Sequence, residues 1–73
     1  MAQNLDALRL ALQHSPDNAP LLLLFAEGCL DDGLLEDAEE SFQKILRDDP
    51  AHAEARLGLA RVAFLQGKTF GAI

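Results

Sequence analysis

The stretch APLLLLFAEGCLDDGLLEDAEESFQKILRDDP, residues 19–50, decides the fold of this 73-residue chain. It opens with PLLLLF, residues 20–25, the most apolar run in the sequence. Such a run fits a signal-peptide core, a buried strand, or a helix that is apolar on every side. Polar residues from Gln13 to Asn18 precede it and the N-terminus has no cationic lead, so a secretory signal is not predicted.

Helix-start and helix-stop residues divide this stretch into two helices. Asn18 is a favourable N-cap and Pro20 a favourable first-turn residue, which predicts a helix over about residues 19–32. Gly33 is expected to end that helix in the left-handed conformation. The second helix is predicted from about Leu35 to Asp48, and its apolar face consists of Ala38, Phe42, Ile45 and Leu46.

Two further helices are predicted on either side of this pair. Leucines at spacings of three and four indicate a helix over roughly residues 2–14, and an apolar stripe indicates another over about 53–66. The first stripe is Leu5, Leu8 and Leu12, and the second is Leu57, Ala60 and Phe64. Residues 69–73 are expected to begin a fifth helix. No stretch alternates apolar and polar residues for long enough to predict a strand.

The helix-breaking residues recur at a fixed distance. Pro16 precedes Pro50 by the same number of positions as Gly33 precedes Gly67. Proline and glycine each have a specific effect on the backbone, so composition alone does not explain why both recur at the same spacing. The chain is therefore predicted to contain an internal repeat with this period.

In its period, the sequence resembles the tetratricopeptide repeat family, whose unit is a helix-turn-helix of about 34 residues. The first helix of residues 19–52 carries the family's large, large, small, large spacing, the second its small-then-aromatic spacing, and a proline ends the unit; the residues are Leu22, Phe25, Ala26, Cys29, Ala38, Phe42 and Pro50. The sequence departs from the family where Leu22 replaces the favoured Trp, Ala26 the favoured Gly and Cys29 the favoured Tyr. These replacements leave the fold in place and alter its packing.

The resemblance implies an all-α fold of antiparallel helix-turn-helix repeats, a right-handed α-solenoid with four helices and a C-terminal stub. It implies one domain over residues 1–73. Residues 1–18 form the second helix of a partial leading repeat, 19–52 a complete repeat, and 53–73 an incomplete one. A solenoid is normally stable only with about three repeats and capped ends. The chain is therefore expected to be part of a longer protein or to complete itself by association.

Charge and composition narrow the class of protein. Twelve Asp and Glu against six Lys and Arg give a net charge of -6, and this acidic balance argues against nucleic-acid binding. The apolar run of residues 19–26 is much shorter than the roughly 20 residues that cross a bilayer, so no membrane segment is predicted. One cysteine excludes an internal disulfide and favours a cytoplasmic location.

The residues that could carry catalysis or bind a metal are few. Cys29 lies on an apolar helix face, where cysteine usually acts as a small hydrophobe, and His14 and His52 are interpreted as solvated turn residues. The acids of residues 31–37 do not match a calcium loop, because two leucines interrupt them. Gly67-Lys68-Thr69 lacks the upstream glycine and the strand of a phosphate loop. No enzyme activity, cofactor or metal is predicted.

Binding of another protein is the predicted function. In the family, the first helices of successive repeats line a concave groove, and the equivalent residues here are Leu23, Glu27, Leu30, Asp31, Leu57, Arg61, Phe64 and Leu65. The family's carboxylate-gripping Lys and first Asn are replaced by Leu23 and Glu27, so binding of a chaperone tail is not expected. An apolar peptide or partner helix with basic flanks fits these residues by contact and charge.

Two alternatives remain open. The segment NLDALRLALQHSPDNAPLLLLFAE, residues 4–27, resembles repeat domains that precede bacterial AAA-type ATPase modules, which implies an N-terminal assembly or regulatory domain of a larger enzyme. Self-association through the C-terminal end would instead give a homodimer that covers Phe64, Leu65, Phe70 and Ile73. The sequence does not name the partner.

Overall fold

The computed structural model describes residues 5–67, which form four α-helices joined by short turns. The helices are α1 (Leu5–His14), α2 (Ala19–Asp31), α3 (Leu35–Asp48) and α4 (Ala53–Leu65), and no strand occurs in this range. α2 packs mainly against α3, α3 also against α4, and α1 against α2. The predicted all-α fold is confirmed. The first residues of the first predicted helix and the predicted stub at 69–73 lie outside the described residues.

α2 and α4 begin in the same way. The Asn18 side chain accepts a hydrogen bond from the Leu21 backbone N–H at 3.1 Å, as predicted for an N-cap. At α4 the acceptor is Nδ1 of His52, which receives the Ala55 backbone N–H at 3.1 Å. Each bond satisfies one of the backbone donors left free in a helix's first turn. His52 is thus a half-buried helix cap, not the solvated turn residue that the sequence indicated.

α2 and α4 also end alike, each at a glycine in the left-handed region. Gly33 has φ 79° and Gly67 has φ 74°, which confirms the predicted role of Gly33. The Gly33 N–H bonds to the Leu30 carbonyl at 3.2 Å, and the Leu34 N–H to the Cys29 carbonyl at 2.8 Å. This pair of bonds is the Schellman motif, which reverses the chain while satisfying the last carbonyls of the helix.

The core lies between α2 and α3. The helical residues that carry the family-like spacing are buried in it, together with Ile45 of α3: Leu22, Phe25, Ala26 and Cys29 from α2, and Ala38 and Phe42 from α3. Their alternation of large and small side chains lets the two helices approach closely. The predicted apolar faces of both helices are therefore confirmed, with Leu46 half-buried at the edge.

α4 packs against this core with small residues. Its buried positions are Ala55, Gly58 and Val62, whereas Leu57 and Phe64 are exposed. A methyl group added at Gly58 would overlap the Phe42 ring, so the ring lies directly on the α4 backbone. The stripe of Leu57, Ala60 and Phe64 that indicated the helix is thus its outward side, because only the side with Gly58 leaves room for Phe42.

α1 is attached more loosely than the other helices. None of its described residues is fully buried, although Leu5, Leu8 and Leu12 pack partly against the core. Arg9 adds two polar contacts: its Nη2 donates to Oδ2 of Asp37 at 3.0 Å, and its guanidinium lies 4.9 Å from the Phe25 ring centroid. Arg9 therefore links α1 to both helices of the α2–α3 pair.

Candidate interaction surface

A shallow apolar depression lies between the C-terminal half of α2 and the outward side of α4. Its volume is about 390 Å³, and it is lined by Leu30 of α2 and by Ala60, Arg61, Phe64 and Leu65 of α4. Ligand pockets in proteins commonly have volumes of about 300 to 1,000 Å³ and mostly apolar walls. The depression is therefore large enough to accept one or two side chains of a partner.

The packing of α4 explains why large apolar side chains surround this depression. Because Gly58 and Val62 face Phe42 and the core, residues on the other side of α4 point away from it. Phe64 remains 71% exposed and Leu65 56% exposed. Single exposed leucines are ordinary, whereas adjacent exposed side chains of this size make this end of α4 the candidate interaction surface.

The structure brings together half of the eight residues predicted for the groove. Leu30, Arg61, Phe64 and Leu65 line the depression. The other four do not line it. Glu27, Asp31 and Leu57 are exposed on α2 and α4, and Leu23 is half-buried and packs partly against the core.

Ala60 lines the depression but was not among the predicted groove residues. It lies one repeat period after Ala26, which is fully buried in the core. The described part of the chain leaves Ala60 exposed. Its outward position follows from the rotation of α4 that puts Gly58 against Phe42.

The two helices that form the depression carry charges of both signs. Arg61 contributes a cation within it, and Glu27 and Asp31 contribute exposed carboxylates on the neighbouring α2. Within residues 5–67 the salt bridge is between Arg9 and Asp37, so none of these three charges is paired there. Unpaired charges at the edge of an apolar surface favour a partner with complementary charges.

The residues considered for catalysis are buried, cap a helix or lie exposed at a helix end. Cys29 is fully buried, and this burial, assisted by the negative charge of Asp37, raises the pKa of its thiol. A thiol with a raised pKa is a poor nucleophile at neutral pH. His52 caps α4, and His14 is exposed at the end of α1. Within residues 5–67, no group of three or more His, Cys, Asp or Glu is arranged to hold a metal ion.

The fold and this surface define a class of protein: short antiparallel helices packed in chain order, with an apolar depression between α2 and α4. A family model for the tetratricopeptide repeat matches residues 30–72, which is more than half of the chain. The chain therefore belongs to the tetratricopeptide repeat family. No curated protein and no solved structure gave a significant match. Among the described residues, none of the helices has the length and apolar character required to cross a membrane.

Proposed function

We propose that this chain is a protein-interaction module that binds an apolar peptide segment or partner helix across the surface formed by α2 and α4, without catalysis. Tetratricopeptide repeats are in general modules that bind proteins or peptides. The observation that carries the proposal is the depression of about 390 Å³ bordered by the exposed Phe64 and Leu65. Covering these two side chains would contribute roughly 25 cal/mol for each Å² of apolar surface removed from water.

The charges indicate the flanks of the preferred partner. Glu27 and Asp31 are exposed and one helical turn apart on α2, the helix that contributes Leu30 to the depression. The whole chain has a net charge of -6, so basic flanks on an apolar segment would be attracted at long range and paired locally. Arg61 in the depression would in turn donate to one carboxylate or carbonyl of the bound segment.

The proposal is tested by titrating the isotope-labelled chain with a peptide of about six apolar residues between two lysine pairs. We expect saturable NMR shifts at the amides of Leu30, Arg61 and Phe64, with small shifts on α1. A peptide with glutamates in place of the lysines is the matched control and should bind more weakly. Shifts distributed over the whole chain, or absent from α4, would contradict the proposed surface.

Two other kinds of partner would use the same surface: a second copy of the chain, or segments of a larger enzyme. Self-association would cover Phe64 and Leu65 with a second copy, and sedimentation would then show a dimer whose population rises with concentration. An assembly domain of a larger enzyme would bind that enzyme's own segments. We favour a separate partner because Glu27 and Asp31 would meet acidic surface on a second copy of a chain of net charge -6.

The proposal includes the repeat division and the setting of the chain. Residues 19–52 are taken as the complete repeat, with residues 1–18 and 53–73 as partial ones. The matching caps of α2 and α4, together with their matching terminal glycines, support this division. A cytoplasmic location is part of the same proposal, and the single, buried Cys29 is compatible with a reducing compartment.

A further inference from the structure

A second depression lies between α1, α2 and α3 and shares no lining residue with the interaction surface on α2 and α4. Its volume is about 310 Å³. Its apolar part is contributed by Leu12 of α1 and Leu22 of α2, and its polar part by one side of α3, where Glu40, Ser41, Lys44 and Arg47 follow one another at helical spacing. The proposed function on α2 and α4 makes no use of this depression.

The polar side is rich in hydrogen-bond donors. Ser41 is 7% exposed, and it is the buried polar residue of the described core. Lys44 is half-buried and Arg47 is exposed. Neither forms a salt bridge within residues 5–67, where the ion pair is Arg9 with Asp37. A hydroxyl, an ammonium and a guanidinium next to one another all donate hydrogen bonds to oxygen acceptors. Their grouping favours an anionic ligand.

The charged and apolar parts of the lining together indicate the class of anion. Lys44 and Arg47 supply two positive charges and Glu40 one negative charge, which leaves one positive charge for the ligand to neutralise. Inorganic phosphate has no apolar part to place against the apolar side of the depression, whereas a carboxylate can carry one. Leu12 and Leu22 lie beside these groups, so the ligand should also carry an apolar portion.

We infer that this depression binds a carboxylate attached to an aliphatic group, with Ser41, Lys44 and Arg47 holding the carboxylate and Leu12 and Leu22 contacting the aliphatic part. Such a group occurs in small aliphatic acids and in protein segments where an acidic and an aliphatic residue are adjacent. The site would give the module a second point of attachment, separate from the α2–α4 surface.

The test is NMR titration of the full chain with N-acetyl-leucine and with a neutral-capped peptide that contains one Glu-Leu pair. Saturable shifts at Leu22, Ser41 and Lys44 are expected with at least one of them. Binding of both assigns a small acid, and binding of the peptide alone assigns a protein segment. N-acetyl-leucinamide, which lacks the charge, should bind at least tenfold more weakly, because hydrogen bonds to a charged group are lost.

Variants separate the proposed site from a general effect of charge. The double variant Lys44→Gln/Arg47→Gln should weaken binding by about tenfold or more, while Arg56→Gln, which removes an exposed cation on α4, should not change it. Glu40→Gln should strengthen binding by about two- to fivefold, because a like charge is removed. Circular dichroism verifies that each variant folds.

Three results would overturn the inference: equal binding of the acid and the amide, tighter binding of inorganic phosphate than of either carboxylate, or unchanged affinity in the double variant. Because the two depressions have no lining residue in common, the test is independent of peptide binding at Phe64 and Leu65. A variant that loses carboxylate binding but retains peptide binding, or the reverse, distinguishes failure of this inference from failure of the proposed function.

Discussion

Asn18 and His52 lie one repeat apart and cap two helices with the same hydrogen bond. Each side chain accepts the backbone N–H of the residue three positions later at 3.1 Å, although one acceptor is an amide oxygen and the other an imidazole nitrogen. The bond geometry of the repeat is therefore kept while the residue type changes. The glycines that end these two helices, both with positive φ, have the same spacing.

Removing the cap at His52 should destabilise the fold. His52→Ala leaves the Ala55 N–H without its acceptor and is expected to lower the free energy of unfolding by about 1 kcal/mol, measured by urea denaturation. His52→Asn, which places the residue of Asn18 at the equivalent position, should recover most of that loss. His14→Ala is the matched control at an exposed histidine and should change stability by less than about 0.5 kcal/mol. Equal losses at His14 and His52 would argue against a capping role.

Gly58 is expected to tolerate no side chain while Phe42 is present. Alanine normally stabilises a helix interior relative to glycine by roughly 1 kcal/mol. Here Gly58→Ala should instead destabilise by about 1 to 3 kcal/mol, because the added methyl group overlaps the Phe42 ring. In a double-mutant cycle with Phe42→Leu, the alanine should cost less in the smaller background. Additive effects of the two substitutions would show that the contact is not the cause.

The Arg9–Asp37 pair should govern how firmly α1 is held. A side-chain hydrogen bond to Asp37 raises the pKa of the Arg9 guanidinium above its usual value, and both side chains are about half exposed. Arg9→Gln should increase amide hydrogen exchange in α1 while leaving α3 protected, and added salt should have a similar effect on the wild type. Asp32→Asn is the control for Asp37→Asn, since both remove one acid. Unchanged exchange in α1 in both Arg9→Gln and Asp37→Asn would contradict this role.

Cys29 should make stability fall in alkaline solution. Burial raises the pKa of its thiol, so between the ordinary thiol pKa of about 8.5 and the higher folded value the unfolded chain releases a proton that the folded chain retains. Folding therefore loses stability as pH rises through this range, and the full contribution is present below it. Cys29→Ala should be less stable at neutral pH, yet its free energy of unfolding should change less between about pH 7 and pH 10. The chain has no tyrosine to add to the slope. Equal slopes would contradict the assignment.

The sequence predicted those parts of the fold that depend on local backbone chemistry. The Asn18 side chain caps the first turn of α2, and Gly33 adopts a positive φ because it has no side chain. Both ends of α2 could therefore be predicted from the sequence. The faces of α2 and α3 also followed, because Phe25 and Phe42 stand at helical spacing from small residues. In each case the deciding interaction lies within one helix or its immediate neighbours.

The parts that escaped prediction depend on contacts between distant residues. The contact that seats α4 is the Phe42 ring against Gly58, and the apolar stripe of α4 gave no indication of it. Arg9 and Asp37 are 28 positions apart, and no local pattern joins them. His52 was missed as a cap because histidine is not among the usual N-cap residues, although its position one repeat after Asn18 was an available signal.

The central claim is that the α2–α4 surface binds a partner, and one matched pair of variants tests it most directly. Leu65 is 56% exposed beside the depression, and Leu10 is 57% exposed on α1, so their alanine variants remove the same side chain at the same exposure. With the lysine-flanked apolar peptide, Leu65→Ala should bind about tenfold more weakly, since roughly 1.5 kcal/mol of apolar contact is lost. Leu10→Ala should bind like the wild type. Equal affinities for the two variants, or a loss confined to Leu10→Ala, would contradict the account.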